Sequence, residues 1–142
     1  MVTSLGGRLL SGKSTFIACA VLLAFFASIS WLAVTTKNST FDEPLHALSG
    51  WLALHDHDFR VNPEDPPLWK YWLAIPNGAS ALHPDIAGPL YGKILDDVND
   101  QWEFTVQTLY RTVGVNGEAF VEHSRAMMLV IGVALGVVIA WW

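Results

Sequence analysis

The run FIACAVLLAFFASISWLAV, residues 16–34, sets the architecture of this chain. It contains nineteen consecutive residues without a charged side chain. A helix of that length rises about 28 Å at about 1.5 Å per residue, which nearly spans the hydrocarbon core of a bilayer, about 30 Å thick. We therefore predict a transmembrane helix at residues 16–36, preceded by a short N-terminal segment, residues 1–15.

The same run has an alternative interpretation as a cleaved signal peptide. The apolar segment of a signal peptide is usually about 7–15 residues long and ends at small residues. This run is longer, although the small residues at positions 27–30 leave cleavage open. The only cysteine, Cys19, lies inside the run, so the sequence offers neither a disulfide framework nor a cysteine-based metal site.

A second uncharged run, AMMLVIGVALGVVIAWW, follows Arg125 and reaches the last residue, Trp142. A helix pattern leads from Glu118 into Arg125, and we predict that residues 125–142 begin a second transmembrane helix. Because the run stops before a charged flank appears, we expect the chain to be the N-terminal part of a longer protein. Gly132 and Gly136 form a G-x-x-x-G pattern, which allows two membrane helices to approach closely.

The charges are distributed unevenly along the chain. All thirteen acidic residues lie between Asp42 and Glu122, whereas the N-terminal segment holds Arg8 and Lys13 and no acid. By the positive-inside rule the N-terminus is cytoplasmic and residues 37–124 are external. We expect an integral protein of a bacterial inner membrane with this segment in the periplasm, the alternative being an endoplasmic reticulum lumen. Nucleic acid is excluded as a partner, because no basic patch exists to neutralise phosphates.

Residues 7–14, GRLLSGKS, match the G-x-x-x-x-G-K-S pattern of a phosphate-binding loop. In such a loop a buried strand comes first and an amphipathic helix follows, so that backbone N–H groups converge on the phosphate. Here six residues precede the pattern and an apolar run follows it. We interpret the match as coincidental.

The predicted external segment contains two short apolar helix patterns. The first covers about residues 44–54, with Pro44 in its first turn, where proline is favoured. The second covers about residues 66–74, capped by Asp65 and surrounded by aromatic side chains typical of a membrane interface. A loop and a polar helix at about residues 101–112 follow. The fold class is thus an all-α membrane protein, in which two transmembrane helices flank an external loop with short interfacial helices.

The acidic pair Asp42-Glu43 is the strongest candidate for a functional site. It lies within a few residues of the predicted span, where the phosphate of a lipid-linked sugar has to sit. A carboxylate there can take the proton of an acceptor hydroxyl as that hydroxyl attacks a sugar. The chain between residues 54 and 64 is long enough to bring Glu64 back to the same site. The alternative is a helix N-terminus whose acids only favour the helix dipole.

Three further features accompany the acidic pair. His46, one helical turn beyond it, either orients a carboxylate by a hydrogen bond or is a packed interfacial histidine. Lys70 either meets a phosphate or extends its ammonium to the interface. The His-Asp-His-Asp turn at residues 55–58 carries side chains that suit zinc or manganese. We expect no cofactor, with a divalent metal at this turn as the alternative.

The motif Asp42-Glu43-x-x-His46, followed by Gly50, and the motif Glu64-x-Pro66-Pro67-Leu68-x-Lys70 together resemble a known family. They are similar to the first external loop of the GT-C membrane glycosyltransferases, in the branch of protein O-mannosyltransferases and aminoarabinose lipid A transferases. The resemblance covers residues 16–142, with Arg125 opening the second span. It implies a multi-span enzyme that moves a sugar from a polyprenyl-phosphate donor to an acceptor protein, lipid or glycan.

The resemblance also implies roles for individual residues. It maps Asp42 to the catalytic aspartate, Glu43 to substrate binding and Glu64 to the second acidic position of the site. The full set of expected substrate-binding residues is Glu43, His46, Glu64, Lys70 and Arg125.

Two departures from the family pattern stand out. Asp65 occupies a position where relatives often have histidine or lysine, and residues 77–117 match no part of the family. Without the family's further spans, the fragment is expected to be inactive alone. The alternative function is a non-catalytic two-span membrane protein whose external segment binds a partner.

Overall fold

The computed structural model describes residues 12–142, and every regular element in that range is helical. A 3-10 turn at Tyr91–Lys93 precedes the fourth α-helix, and a π-helical turn at Gln107–Arg111 extends it. The five α-helices are α1 Gly12–Thr36, α2 Glu43–His55, α3 Pro67–Ala74, α4 Val98–Val106 and α5 Gly117–Trp141. The predicted all-α class is confirmed. Residues 7–11 of the phosphate-loop pattern and most of the predicted N-terminal segment lie outside the described residues, and residues 12–14 of the pattern are the first residues of α1.

The helices α1 and α5 are each 25 residues long and apolar enough to cross a membrane. They pack against each other in opposite directions, with Gly132 facing Phe26 and Gly136 facing Leu23. A Cβ atom at Gly136 would lie 2.6 Å from Leu23 Cδ1, so the glycines permit the close approach that their spacing predicted.

The helix α5 begins at Gly117, one residue before the helix pattern predicted from Glu118 and eight residues before the predicted membrane span. Its N-cap is Asn116, whose side chain accepts a hydrogen bond from the Ala119 N–H, as asparagine caps commonly do. The first two turns of α5 are therefore polar in part and belong to the predicted external segment. They carry the side chains that reach the candidate site.

The helix α2 lies at the centre of the buried core. It begins at Glu43, one residue before the predicted 44–54, and ends at His55, one residue after it. Pro44 lies in the first turn, as predicted. The residues of the core cluster are Leu45, Ala47, Leu48, Trp51, Leu52, Val61, Leu82, Tyr91, Ile94, Phe104, Leu109, Phe120 and Val121. They come from α2, α4, α5 and the connecting loops, so the segment between the long helices has its own hydrophobic core.

The helix α3 packs tightly on α2 at Gly50. A Cβ atom added there would overlap the backbone oxygen of Lys70. We expect Gly50→Ala to lower the free energy of unfolding by about 1–3 kcal/mol, because a backbone oxygen cannot move aside as a flexible side chain can. Thermal unfolding in detergent measures the change.

Gly92→Ala is the matched control for this substitution. A methyl group at Gly92 would have no atom within 4 Å, so we expect a change within about 0.5 kcal/mol. Equal stability of the two variants would contradict the close packing of α2 on α3.

The predicted cap of α3 is wrong. The N-cap residue is Pro66, without a side-chain cap, and Pro67 opens the helix. Proline suits this position because its φ is already helical and it has no N–H to leave unpaired. The carboxylate of Asp65 is therefore not needed at the helix end and turns towards α2 instead.

The helix α3 is also fastened to α5. Trp72 Nε1 donates a hydrogen bond to the Met127 carbonyl at 2.8 Å. Met127 lies just beyond Arg125, so α3 is level with the start of the apolar run of α5. Leu68 of α3 and Ile75, the residue that follows it, are 82% and 58% exposed, as is expected of apolar side chains on a helix that lies in a membrane interface.

The polar helix predicted at about residues 101–112 begins three residues earlier, at Val98. The side chain of Asp97 accepts the Asn99 N–H at 2.8 Å and caps the helix, which moves its start. Beyond Val106 the helix widens into the π-helical turn and ends at Arg111.

Candidate functional site

The N-terminus of α2 carries the acidic pair in two different environments. Asp42 is the N-cap residue, and its side chain is 63% exposed. The Thr40 hydroxyl donates to Asp42 Oδ1 at 3.0 Å. Glu43 turns back instead, and its Oε2 accepts the Thr40 N–H at 2.8 Å. Asp42 is thus open to solvent, whereas Glu43 faces the protein.

Arg125 holds Glu43 and the end of α1 together. Its Nε lies 3.1 Å from Glu43 Oε2. Its Nη1 donates to the carbonyl of Lys37 at 2.7 Å and to that of Val34 at 3.3 Å, and its Nη2 donates to that of Asn38 at 3.1 Å. Carbonyls at a helix C-terminus lack partners within the helix and attract cations. One guanidinium therefore joins α1, α2 and α5.

His46 stands between two carboxylates. Its Nε2 is 3.6 Å from Asp42 Oδ2, one helical turn earlier on α2. Its Nδ1 is 2.7 Å from Asp65 Oδ2, on the loop that precedes α3. Asn62 Nδ2 donates to the same oxygen of Asp65 at 2.7 Å. The structure therefore brings His46 to Asp42, and it adds Asp65 and Asn62, which the motifs did not assign to the site.

The loop that carries Asp65 is held in place from two sides. Asn62 has a left-handed backbone with φ of 49°, a conformation that asparagine tolerates better than most residues. The Asn62 N–H donates to Gln101 Oε1 of α4 at 2.8 Å. Lys70 Nζ of α3 donates to the carbonyls of Val61 and Asn62. These bonds fix the direction in which Asp65 points.

Lys70 is buried beneath this loop. Burial lowers the pKa of Lys70, and the negative charges of Asp65 and Glu64 oppose that effect. Its ammonium supports the loop, whereas the motif predicted that it contacts substrate. Glu64 is exposed, and in the Glu64-Asp65 pair it is Asp65 whose carboxylate reaches His46.

The pKa of Asp42 is lowered from 3.8. The largest cause is a hydrogen bond from its own backbone N–H, followed by the bond from the Thr40 hydroxyl, and the proximity of His46 adds to both. Hydrogen bonds to the charged form of a carboxyl stabilise that form. Asp42 is therefore ionised at neutral pH and has an exposed oxygen that can accept a proton.

A cavity of about 550 Å³ opens beside the Glu43–Arg125 pair. Neither Asp42 nor His46 lines it, but Thr40 does, and the hydroxyl of Thr40 reaches Asp42. Thr40 therefore contacts both the cavity and Asp42. Its walls are formed by residues 35–41, Pro44, Tyr110, Glu118, Val121, Glu122 and Arg125.

Arg125 was expected at the site, whereas Glu118 and Glu122, which line the same cavity from α5, were not. Glu118, Glu122 and Arg125 are spaced by four and three residues, so a helix places them on one face. That spacing was a usable signal, because a helix pattern was already predicted from Glu118. Tyr110 lies in the π-helical turn and had no comparable signal.

The His-Asp-His-Asp turn contributes to the fold. His55 Nε2 lies 3.0 Å from the carbonyl of Asn77. Asp58 binds Arg60, whose guanidinium lowers the pKa of that carboxyl to about 2. His57 has a left-handed backbone with φ of 54°. Within residues 12–142 no group of three or more His, Cys, Asp and Glu side chains is arranged to hold a metal ion.

No protein-family model, curated protein or solved structure matches this chain. The resemblance to the GT-C glycosyltransferases accordingly depends on the two motifs themselves. The structure adds the contacts among the residues of those motifs, which can be weighed on their own chemistry.

Proposed function

We propose that this chain is part of an integral-membrane glycosyltransferase that moves a sugar from a polyprenyl-phosphate donor to an acceptor on the external face of a bacterial inner membrane. The observation that carries the proposal is the position of Asp42. An ionised, exposed carboxylate lies next to a polar cavity at the end of two antiparallel apolar helices.

The depth of the site fits a lipid-linked substrate. Arg125 binds carbonyls at the end of α1 and also marks the start of the apolar run of α5. The cavity that Arg125 lines is therefore at the level where apolar helix gives way to polar chain. A polyprenyl-phosphate sugar has its tail in the hydrocarbon region and its phosphate at this level, so tail and headgroup can be accommodated together.

The charges of the cavity suit a phosphate joined to a sugar. Lys37 and Arg125 bring positive charge to the wall formed by α1 and α5, and cations stabilise a phosphate and a phosphate leaving group. Glu118 and Glu122 of α5 bring carboxylates, which accept hydrogen bonds from sugar hydroxyls. We assign the phosphate to Lys37 and Arg125, and the sugar to the two glutamates.

The role of Asp42 in this reaction is that of a general base. The acceptor oxygen forms a bond to the anomeric carbon while the bond from that carbon to the phosphate oxygen breaks. The hydroxyl proton passes to Asp42, and the electron pair of the broken bond leaves with the polyprenyl phosphate. General-base assistance of this kind contributes about 10²- to 10⁴-fold to a rate.

Photo-crosslinking in lipid nanodiscs tests the proposal directly. The probe is a polyprenyl phosphate with a photoreactive group next to the phosphate. We expect crosslinks on the residues that line the cavity, with competition by unlabelled polyprenyl phosphate and none by phosphatidylglycerol. Crosslinks spread evenly over α1 and α5, or equally suppressed by phosphatidylglycerol, would contradict a polyprenyl-phosphate site.

The second candidate is a non-catalytic membrane protein that binds a protein partner. It is favoured by the exposed apolar side chains of the segment between the long helices, where Leu95 is 63% and Val113 is 98% exposed. Sugar transfer in membranes that contain the complete protein, of which this chain is proposed to be part, separates the two. Transfer from a labelled polyprenyl-phosphate sugar supports the enzyme, and its absence with an intact partner complex supports the binding protein.

A further inference from the structure

The proposed role of Asp42 as a general base gives no function to the contact between Asp65 and His46. Asp65 Oδ2 lies 2.7 Å from His46 Nδ1, and the two residues are 19 positions apart in sequence. The loop that carries Asp65 is held by Lys70 and Gln101, so the carboxylate is delivered to the imidazole by the fold. A carboxylate on one ring nitrogen determines what the other nitrogen can do.

Two polar atoms compete for His46 Nδ1, and their chemistry decides between them. Asp65 Oδ2 is 2.7 Å away, and Asn62 Nδ2 is 2.8 Å away. A ring nitrogen has one in-plane position, so it either donates or accepts. An ionised carboxylate only accepts, and a hydrogen bond to it is stronger than one between neutral groups. Nδ1 therefore carries the proton and donates to Asp65, while Asn62 Nδ2 donates to the same carboxylate oxygen.

The tautomer assigned in this way leaves Nε2 of neutral His46 without a proton. This nitrogen is on the side of Asp42, 3.6 Å from its Oδ2. That separation is longer than a hydrogen bond, and in this tautomer neither Nε2 nor the ionised carboxylate of Asp42 carries a proton to donate. When Asp42 takes up a proton, its protonated oxygen can donate a hydrogen bond to Nε2. Contacts of this kind are often long before substrate binds and shorten in the reacting complex.

We propose that Asp65 is a positioning residue that holds His46 in the Nδ1–H tautomer, so that Nε2 receives the proton which Asp42 takes from the acceptor hydroxyl. This inference rests on the proposed function. The acceptor loses one proton, and His46 gains it through Asp42. The new glycosidic bond replaces the bond from sugar to phosphate, and the leaving polyprenyl phosphate carries the additional negative charge. Asp42 is returned to its ionised form within the same turnover.

Two carboxylates are placed to accept the N–H groups of the imidazolium that this transfer forms. Asp42 of α2 faces Nε2, and Asp65 of the loop faces Nδ1. The remaining charged groups of this region are Glu64 on the loop and Lys70 on α3, and the ammonium of Lys70 interacts with the charges of Asp65 and Glu64. Helix α4 contributes the neutral Gln101 through Asn62. An imidazolium that donates to a carboxylate on each side has both N–H groups satisfied.

Nitrogen-15 NMR of histidine-labelled protein in nanodiscs tests the tautomer without any substrate. Protonated and unprotonated ring nitrogens have well-separated chemical shifts, and His46→Gln identifies the signals of His46. We expect the Nδ1–H tautomer in the wild-type protein and a shift towards Nε2–H in Asp65→Ala, since Asp65 is the acceptor that selects it. A wild-type Nε2–H tautomer, or an unchanged ratio in Asp65→Ala, would overturn the inference.

Transfer kinetics test the consequence for the reaction. We expect Asp65→Ala to lower kcat by about 10- to 100-fold with little change in KM, because the proposal has Asp65 act on the proton transfer through His46 and not on substrate binding. Asp65→Asn keeps the shape and one acceptor oxygen, so we expect it to retain the tautomer and still to lower kcat. Asp65→Glu restores the charge and is expected to recover part of the rate.

Asp96→Ala, an exposed aspartate on the segment before α4, is the matched control and is expected to leave kcat unchanged. The two proposals fail in different ways. Normal kcat in Asp65→Asn and Asp65→Ala would overturn the proton transfer to His46 and leave the glycosyltransferase standing. Absence of sugar transfer by the complete wild-type enzyme, of which this chain is proposed to be part, would remove the proposed function, whatever the tautomer.

Discussion

Replacing Asp42 by asparagine is expected to reduce sugar transfer by about 10²- to 10⁴-fold. The substitution keeps the size of the side chain and an oxygen that can accept the Thr40 hydroxyl, but an amide cannot take up a proton at neutral pH. Because the side chain of Asp42 is 63% exposed, removal of its charge leaves no buried group unpaired. Initial rates with a labelled polyprenyl-phosphate sugar, measured in membranes with equal amounts of the complete wild-type and variant enzymes, give the ratio.

The control for this prediction is Asp96→Asn. Both aspartates are exposed residues of the segment between α1 and α5, so a general effect of removing a negative charge appears in both variants. A loss of activity in both would point to an electrostatic effect of the whole segment. Undiminished transfer by Asp42→Asn would remove Asp42 from the mechanism.

The lowered pKa of Asp42 adds a pH dependence with a definite sign. A depressed folded-state pKa means that the carboxylate is protonated only at a pH below the ordinary value of 3.8. The proton-accepting form is therefore fully present above that pH and is lost as the pH falls through the lowered pKa. We expect no decline of kcat from Asp42 between about pH 5 and 8. A decline towards pH 5 has to come from another group of the protein or substrate.

Replacing Arg125 by glutamine is expected to lower the free energy of unfolding by about 2–3 kcal/mol. The side chain of Arg125 is 15% exposed and binds Glu43 and three backbone carbonyls. A glutamine amide cannot span these acceptors, so Glu43 keeps its charge without a cation and the end of α1 loses its donors. Because Glu43 is about one-third exposed, water compensates part of the loss. Thermal unfolding in detergent reports the difference.

Arg111→Gln is the matched control, because it also removes an arginine that binds a glutamate. Arg111 Nη1 lies 2.6 Å from Glu103 Oε1, but the two side chains are 61% and 44% exposed. Exposed ion pairs contribute about 0–1 kcal/mol, so the control is expected to unfold at nearly the wild-type temperature. A larger effect for Arg111→Gln than for Arg125→Gln would contradict the assigned role of Arg125. Arg125→Lys is expected to be intermediate, since one ammonium cannot reproduce the fork of a guanidinium.

The two long helices and α2 could be predicted from the sequence, because the residue patterns that predict them are contiguous along the chain. An uncharged run of nineteen residues and another of seventeen predict α1 and the apolar part of α5 by length and composition alone. The leucines and tryptophan after Pro44 repeat with helical spacing, and the observed α2 differs from the prediction by one residue at each end. Such patterns depend on neighbours within a few turns, so no knowledge of the tertiary fold is required.

Asp65 illustrates a role that local preference could not reveal. An aspartate before a helix is a favoured cap, and this preference led to the wrong prediction. In the folded protein Pro66 and Pro67 open α3 without a side-chain cap, and the carboxylate is free to bind His46. The choice between the two roles depends on where α2 lies relative to the loop, which no local pattern records.

The amino-acid order alone was enough to predict the all-α class, the two apolar helices, the acidic pair beside them and the motif that resembles the GT-C family. The packing of the helices was needed to show that Glu43 turns inward to Arg125, that Lys70 supports a loop, and that His46 joins Asp42 to Asp65. The physical reason is the range of the interactions. Apolar burial and helical period act between near neighbours, whereas Arg125 and the Lys37 carbonyl meet across 88 positions. Such a contact exists only once α1 and α5 have packed at one particular register.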